Sequence, residues 1–132
     1  MNSKGLLVYL AGKYNAKTDG ERLRNTDKII DIGIEIYERS NHLLYPHIPH
    51  LTHYIEKRMD YLGYKERPNE YWYEFDNIIL PKCDILYKIS KDGESKGADM
   101  EEQLAIKEKI PVVKSMEELF NRVEEIQEFV SK

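Results

Sequence analysis

Gly5-Leu-Leu-Val-Tyr-Leu-Ala11, closed by Gly12, decides the architecture. An apolar stretch this short with no polar residue at alternate positions cannot show one face to water. It reads as a strand covered on both sides, the situation of a central strand in a parallel sheet. Working outward, the pattern alternates. A polar loop runs from Lys13 to about Gly20, and a helix is predicted over 21–39, with Leu23, Ile30, Ile34 and Tyr37 on one stripe. His42-Leu-Leu-Tyr45 reads as a short second strand ended by Pro46 and Pro49. A helix over 51–62 follows, with Leu51, Ile55, Met59 and Leu62 at helical spacing. After a polar break from Lys65 to Asn69 comes a helix over 69–80, through Trp72, Phe75 and Ile79, closed by Pro81.

Asp84–Ile89 is a third strand, 90–97 a loop, 98–109 a helix and Pro111–Lys114 a fourth strand. Ser115 opens the last helix, with Glu118 completing a capping box. Leu119, Val123, Ile126 and Val130 give that helix its apolar stripe. Strands alternating with helices imply one α/β domain over 1–132, a parallel sheet of four to five strands with helices on both faces.

Composition narrows the function classes. The chain has 132 residues, a net charge of −4 and interspersed charges, which argues against a nucleic-acid polymer as partner. Cys83 is the only cysteine, so no disulfide forms within the chain and no oxidising compartment is implied. The apolar run behind Lys4 is too short for a signal sequence or a membrane span, and no other run approaches that length. The expected compartment is the cytoplasm, with no membrane partner.

Ligands of parallel α/β sheets bind beyond the carboxyl ends of the strands, where strand order reverses. That directs attention to the loops after residues 11, 45 and 89. The first holds Tyr9 at the end of its strand, then Gly12 and Lys13. The third holds Ser95, Gly97 and Glu101, where a loop becomes a helix. Asp76 lies between them, eight residues before Asp84. Each residue has an ordinary explanation. Glu101 suits a helix first turn electrostatically, Asp76 suits a helix surface, Tyr9 suits a core, and the glycines suit turns. Leu104 and Ala105, three and four positions on, set Glu101 at the edge of the apolar face, while Glu102 points elsewhere and is expected to be dispensable.

Taken together, Val-Tyr9-Leu-Ala-Gly12, Asp76 with Asp84, and Ser95-x-Gly97-x-x-x-Glu101 resemble the nucleoside 2-deoxyribosyltransferase superfamily. That group includes nucleoside deoxyribosyltransferases and nucleoside 5′-monophosphate N-glycosidases. The likeness covers about residues 5–114, and the Ser-x-Gly-x-x-x-Glu element is its most specific part. The charged loop 91–94 and the segment 45–73 match no motif of the family, and its usual extra strand after the fourth is not evident. The resemblance implies a flavodoxin-like three-layer fold and cleavage of an N-glycosidic bond without a cofactor. Glu101 would be the nucleophile on the anomeric carbon. Tyr9 would hold and polarise it, and Asp76 would contact the sugar hydroxyls or assist the departing base. Ser95 and Gly97 would line the sugar and 5′ group. The implied partner is a small nucleoside or nucleotide, and the implied assembly is a homodimer or larger homo-oligomer in which a neighbouring chain helps close the pocket. The chemistry is sound in itself: a carboxylate can trap an oxocarbenium-like centre, which water or a second base then resolves.

Other residues add to the pocket. Trp72, among the consecutive aromatics Tyr71-Trp72-Tyr73, is a candidate to stack on a base. Lys13, Arg22, Arg24 and Lys96 lie near the candidate loops and could pair with a phosphate. His47, His50 and His53 recur every third residue, but Pro49 breaks the helix that would align them and no further ligand completes a metal set; a loop or base-pocket role, His47 included, is the better reading. Whether the group goes to another base or to water stays open. The rival from another class is a nucleotide-binding or sensing module of the same fold without turnover.

Overall fold

The computed structural model describes residues 5–65 and 67–131, apart from the side chains of 69 and 127–131. Among the described residues four strands, β1 (Leu6–Ala11), β2 (Leu44–His47), β3 (Ile85–Lys88) and β4 (Val112–Val113), form one all-parallel sheet of order β2-β1-β3-β4. Five α-helices connect or follow them: α1 (Asp19–Arg39), α2 (Thr52–Tyr61), α3 (Asn69–Ile79), α4 (Lys96–Lys107) and α5 (Met116–Ser131). This is a flavodoxin-like strand order, with its reversal between β1 and β3. No helix among the described residues is long and apolar enough to cross a membrane.

The unbroken apolar β1 is explained by its two faces. Val8 and Leu10 enter a core with Ile29 and Ile36 of α1 and Leu119 and Val123 of α5. Tyr9 and Ala11 enter a second core with Leu80, Ala98 and Ala105, against which Ile79 of α3 and Leu104 of α4 also pack. The sheet is thus a middle layer between α1/α5 and α3/α4. The Ser115 cap holds, Glu118 N–H donating to Ser115 Oγ at 3.1 Å, while the Glu118 carboxylate accepts from Lys114 N–H. Leu119 and Val123 are buried as expected, and the Val130 side chain lies outside the described residues.

Four readings of the sequence are corrected. The buried stripe of α1 is Thr26, Ile29, Gly33 and Ile36, not Leu23, Ile30, Ile34 and Tyr37; Ile34 is 57% exposed. Isoleucines at 29, 30, 32, 34 and 36 fit several stripes. Close approach selects among them: a Cβ on Gly33 would sit 3.0 Å from Ile48 Cδ1 and 3.4 Å from Leu10 Cδ1. On α2 the expected stripe is likewise turned outward, with Leu51, Ile55 and Leu62 exposed, and His53 is the buried residue. On α3, Phe75 is exposed while Leu80, just past its end, is buried. Finally, the second strand is displaced. Asn41 and His42 have φ of 55° and 63° and form the turn, and the strand passes through Pro46 to His47. Pro46 is tolerated because β2 is an edge strand.

Candidate active site

The loops after β1, β2 and β3 enclose a cavity of about 230 Å³. Its walls include Gly12, Lys13, Tyr14, His50, Trp72, Tyr73, Asp76, Ser95, Gly97 and Glu101. This is below the roughly 300–1,000 Å³ of drug-sized sites and suits one small molecule, part of which lies in the open mouth.

Local sequence positions each group. Ser95 is the N-cap of α4, its Oγ accepting from Ala98 N–H at 3.2 Å. From there, Ala98, Glu101 and Ala105 fall at helical spacing on the face turned to the sheet, and both alanines are buried. Glu101 therefore occupies a core-facing position. Directly beneath it Tyr9, fully buried on β1, donates its hydroxyl to Glu101 Oε2 in a very short hydrogen bond. Asp76 enters from α3, and its Oδ1 is buried with no hydrogen-bond partner among the described residues.

The electrostatics follow from desolvation. Burial pushes the Glu101 carboxyl from 4.5 up to about 8; the Tyr9 hydrogen bond opposes the rise and the charge of Asp76 adds to it. Burial alone raises Asp76 from 3.8 to about 7. Burial first, then the Glu101 and Asp76 charges, drive the Tyr9 hydroxyl far above its ordinary range, so it remains a donor throughout the physiological pH range. Two partly buried carboxyls that share one pocket titrate as a pair, and at neutral pH that pair keeps a proton. Glu101, with the higher value, holds that proton in the larger share of molecules at neutral pH; the minor form, with Glu101 ionised and Asp76 protonated, is the combination that a nucleophile and a general acid require.

The structure thus brings Gly12, Lys13, Trp72, Asp76, Ser95, Gly97 and Glu101 to one cavity, with Tyr9 under its floor. His47 does not line it. Its ring packs on Tyr9 at 5.2 Å between centroids, because β2 continues through residue 47 and aims that side chain behind the tyrosine. Burial lowers the His47 pKa, keeping the ring neutral. His50 lines the cavity instead. Its Nε2 lies 2.9 Å from the Gly12 carbonyl oxygen, which only accepts, so Nε2 carries the hydrogen. Tyr14, also missed, is held by Asn25 Nδ2 on its carbonyl at 3.0 Å and by a 2.8 Å bond between its hydroxyl and His53 Nδ1. A three-residue turn over Pro49–Leu51 swings His50 inward, a local bend that helical periodicity does not reveal. Arg22 pairs with Asp19 at 2.7 Å and lines an adjoining charged groove rather than this cavity.

Glu102 points away from the cavity, as expected, and into an ion-pair cluster. Its carboxylate lies 2.8 Å from Lys88 Nζ, a buried ammonium also met by Asp92 and Asp99. Those three carboxylates are the group with metal-ligand spacing among the described residues, but the Lys88 ammonium already sits among them. Lys88 was legible only as a lysine closing an apolar strand, with acids at 92, 99 and 102.

Fold and site together define a flavodoxin-like α/β domain with a buried tyrosine and a partly buried glutamate and aspartate at its switch point. Compared with known proteins, the chain matches no family model, no curated protein and no solved structure.

Proposed function

We propose that the protein cleaves the N-glycosidic bond of a nucleoside or nucleoside 5′-monophosphate, with Glu101 as nucleophile. The observation that carries this reading is the Tyr9 hydroxyl bonded to a desolvated Glu101 on a cavity wall that Asp76 shares. With Oε2 engaged by Tyr9, Oε1 attacks the anomeric carbon. The carbon–nitrogen bond breaks, its electron pair passes to the base nitrogen, and Asp76 supplies the proton. Water or a second base then attacks the same carbon, gives its proton to the Asp76 carboxylate and frees Glu101. Trp72 and Tyr73 offer aromatic faces to the base. Lys13 and Lys96, on the rim near the α4 N-terminus, suit a 5′-phosphate.

Apolar side chains left exposed on α2 and α3, among them Tyr54, Ile55, Phe75 and Ile78, support a homo-oligomer that covers them. Light scattering at micromolar concentration then gives at least a dimer.

The test is incubation with a panel of nucleosides and 5′-monophosphates, with and without an acceptor base, followed by chromatography for free base and new nucleoside. Free base without acceptor identifies a hydrolase, and new nucleoside a transferase. Tight binding with no base released identifies a nucleotide-binding module and overturns the reading.

A further inference from the structure

Lys88 is the last residue of β3 and only 2% exposed. Its ammonium meets Asp92 Oδ1 at 2.5 Å, Asp99 Oδ1 at 2.8 Å and Glu102 Oε1 at 2.8 Å. Lys114, after β4, adds a second cation at 3.3 Å from Glu102 and 3.5 Å from Asp92. Asp99 also accepts from the Gly93 N–H at 3.0 Å, so the same cluster ties down the loop before α4.

The packing of α4 shows why such a clamp is needed. The helix lies on the sheet through Ala98 and Ala105, and between them comes Glu101. Two methyl groups and one partly buried leucine, Leu104, present little ridge to lock into a groove, so apolar packing resists rotation of this helix about its axis only weakly. When ionised, Glu101 itself favours rotation, because a carboxylate gains hydration by leaving the core-facing position. The groups that face it are Tyr9 from β1, which holds it, and Asp76 from α3, whose charge repels it. Asp99 and Glu102, three residues apart, share the flank of the helix that Lys88 grips.

We propose that Lys88 is a positioning residue that fixes the roll of α4, by gripping Asp99 and Glu102, so that Glu101 stays turned inward against Tyr9. It touches no reacting atom. The inference rests on the reading of Glu101 as the working carboxylate. The raised titration of Glu101, near about 8, is one consequence of the inward position.

The test follows the Glu101 carboxyl by carbon-13 NMR across a pH titration, in the intact protein and in Lys88→Met and Lys88→Arg. With the grip lost in Lys88→Met, Glu101 rotates toward water and its midpoint falls by at least about one pH unit. Lys88→Arg keeps the charge and holds the midpoint near that of the parent. Where base release is measurable, Lys88→Met lowers kcat about tenfold or more with a smaller change in KM, because a misplaced nucleophile costs chemistry before binding. Should Lys88→Met fail to fold, Glu102→Gln, which leaves Lys88 two partners, gives a smaller shift in the same direction. An unchanged Glu101 midpoint in the folded variants overturns the proposal and leaves Lys88 a stabilising residue only. The titration needs no turnover, so failure of the glycosidic reading and failure of the Lys88 role are separately visible.

Discussion

Glu101→Gln tests the buried carboxyl without reference to any substrate. The substitution keeps shape and volume and removes the titration. A carboxyl raised from 4.5 in the unfolded chain to about 8 in the fold binds its proton more tightly when folded. Its contribution to stability is therefore fully present below about pH 4.5 and is lost as pH rises through about 8. At about 1.4 kcal/mol per pH unit, that interval amounts to on the order of 5 kcal/mol. Water entering the cavity relieves part of the desolvation, leaving about 2–4 kcal/mol as the working expectation. Glutamine loses none of this, and groups that titrate equally in both proteins cancel in the difference. Urea denaturation from about pH 4.5 to about pH 9, followed by Trp72 fluorescence and by circular dichroism, measures it. The two proteins should differ by less than about 1 kcal/mol at the acid end, the cost of one altered hydrogen bond. At the alkaline end Glu101→Gln should be the more stable, its advantage having grown by about 2–4 kcal/mol. A difference that stays flat across the range refutes the reasoning, because it places the Glu101 carboxyl in water rather than against Tyr9.

Tyr9→Phe keeps the packing ring and deletes the donor, so base release should fall about 10²-fold while thermal stability changes little, as read by initial rates and a melting curve. The pH profile of kcat/KM should be a narrow bell with limbs near about 7 and about 8, the values of Asp76 and Glu101 in the free protein, and Asp76→Asn should erase one limb and reduce kcat more than it alters KM. Gly33→Val should destabilise the fold by about 1–3 kcal/mol in denaturant titrations, since its Cβ would press on Ile48 and Leu10, whereas Ile34→Ser next to it should be nearly neutral.

The layered α/β class was determined by sequence alone, because it depends on local signals: an apolar run at 5–11 with no polar alternation, prolines at 68 and 81, and Ser115 with Glu118 as a cap. The convergence of residues 12–13 and 95–101 also followed once the strand order was assumed, since parallel topology sends the loops after β1 and β3 to the same edge, whereas residue 76, on α3, was placed beside them only by the family resemblance. Tertiary structure alone decided which stripe of α1 and α2 is buried. Both helices carry more apolar positions than one face can hold, and the choice falls on small or polar residues such as Gly33 and His53. It alone turned His50 into the cavity and His47 behind Tyr9, because that depends on how far an edge strand runs past a proline. Lys88 is the clearest case. In the sequence it is one lysine among many, and its weight comes from a buried strand end that sets its ammonium among carboxylates 4, 11 and 14 residues away along the chain. Periodicity records what a residue's own helix or strand requires; which charges meet in the interior is settled by contacts between elements distant in sequence.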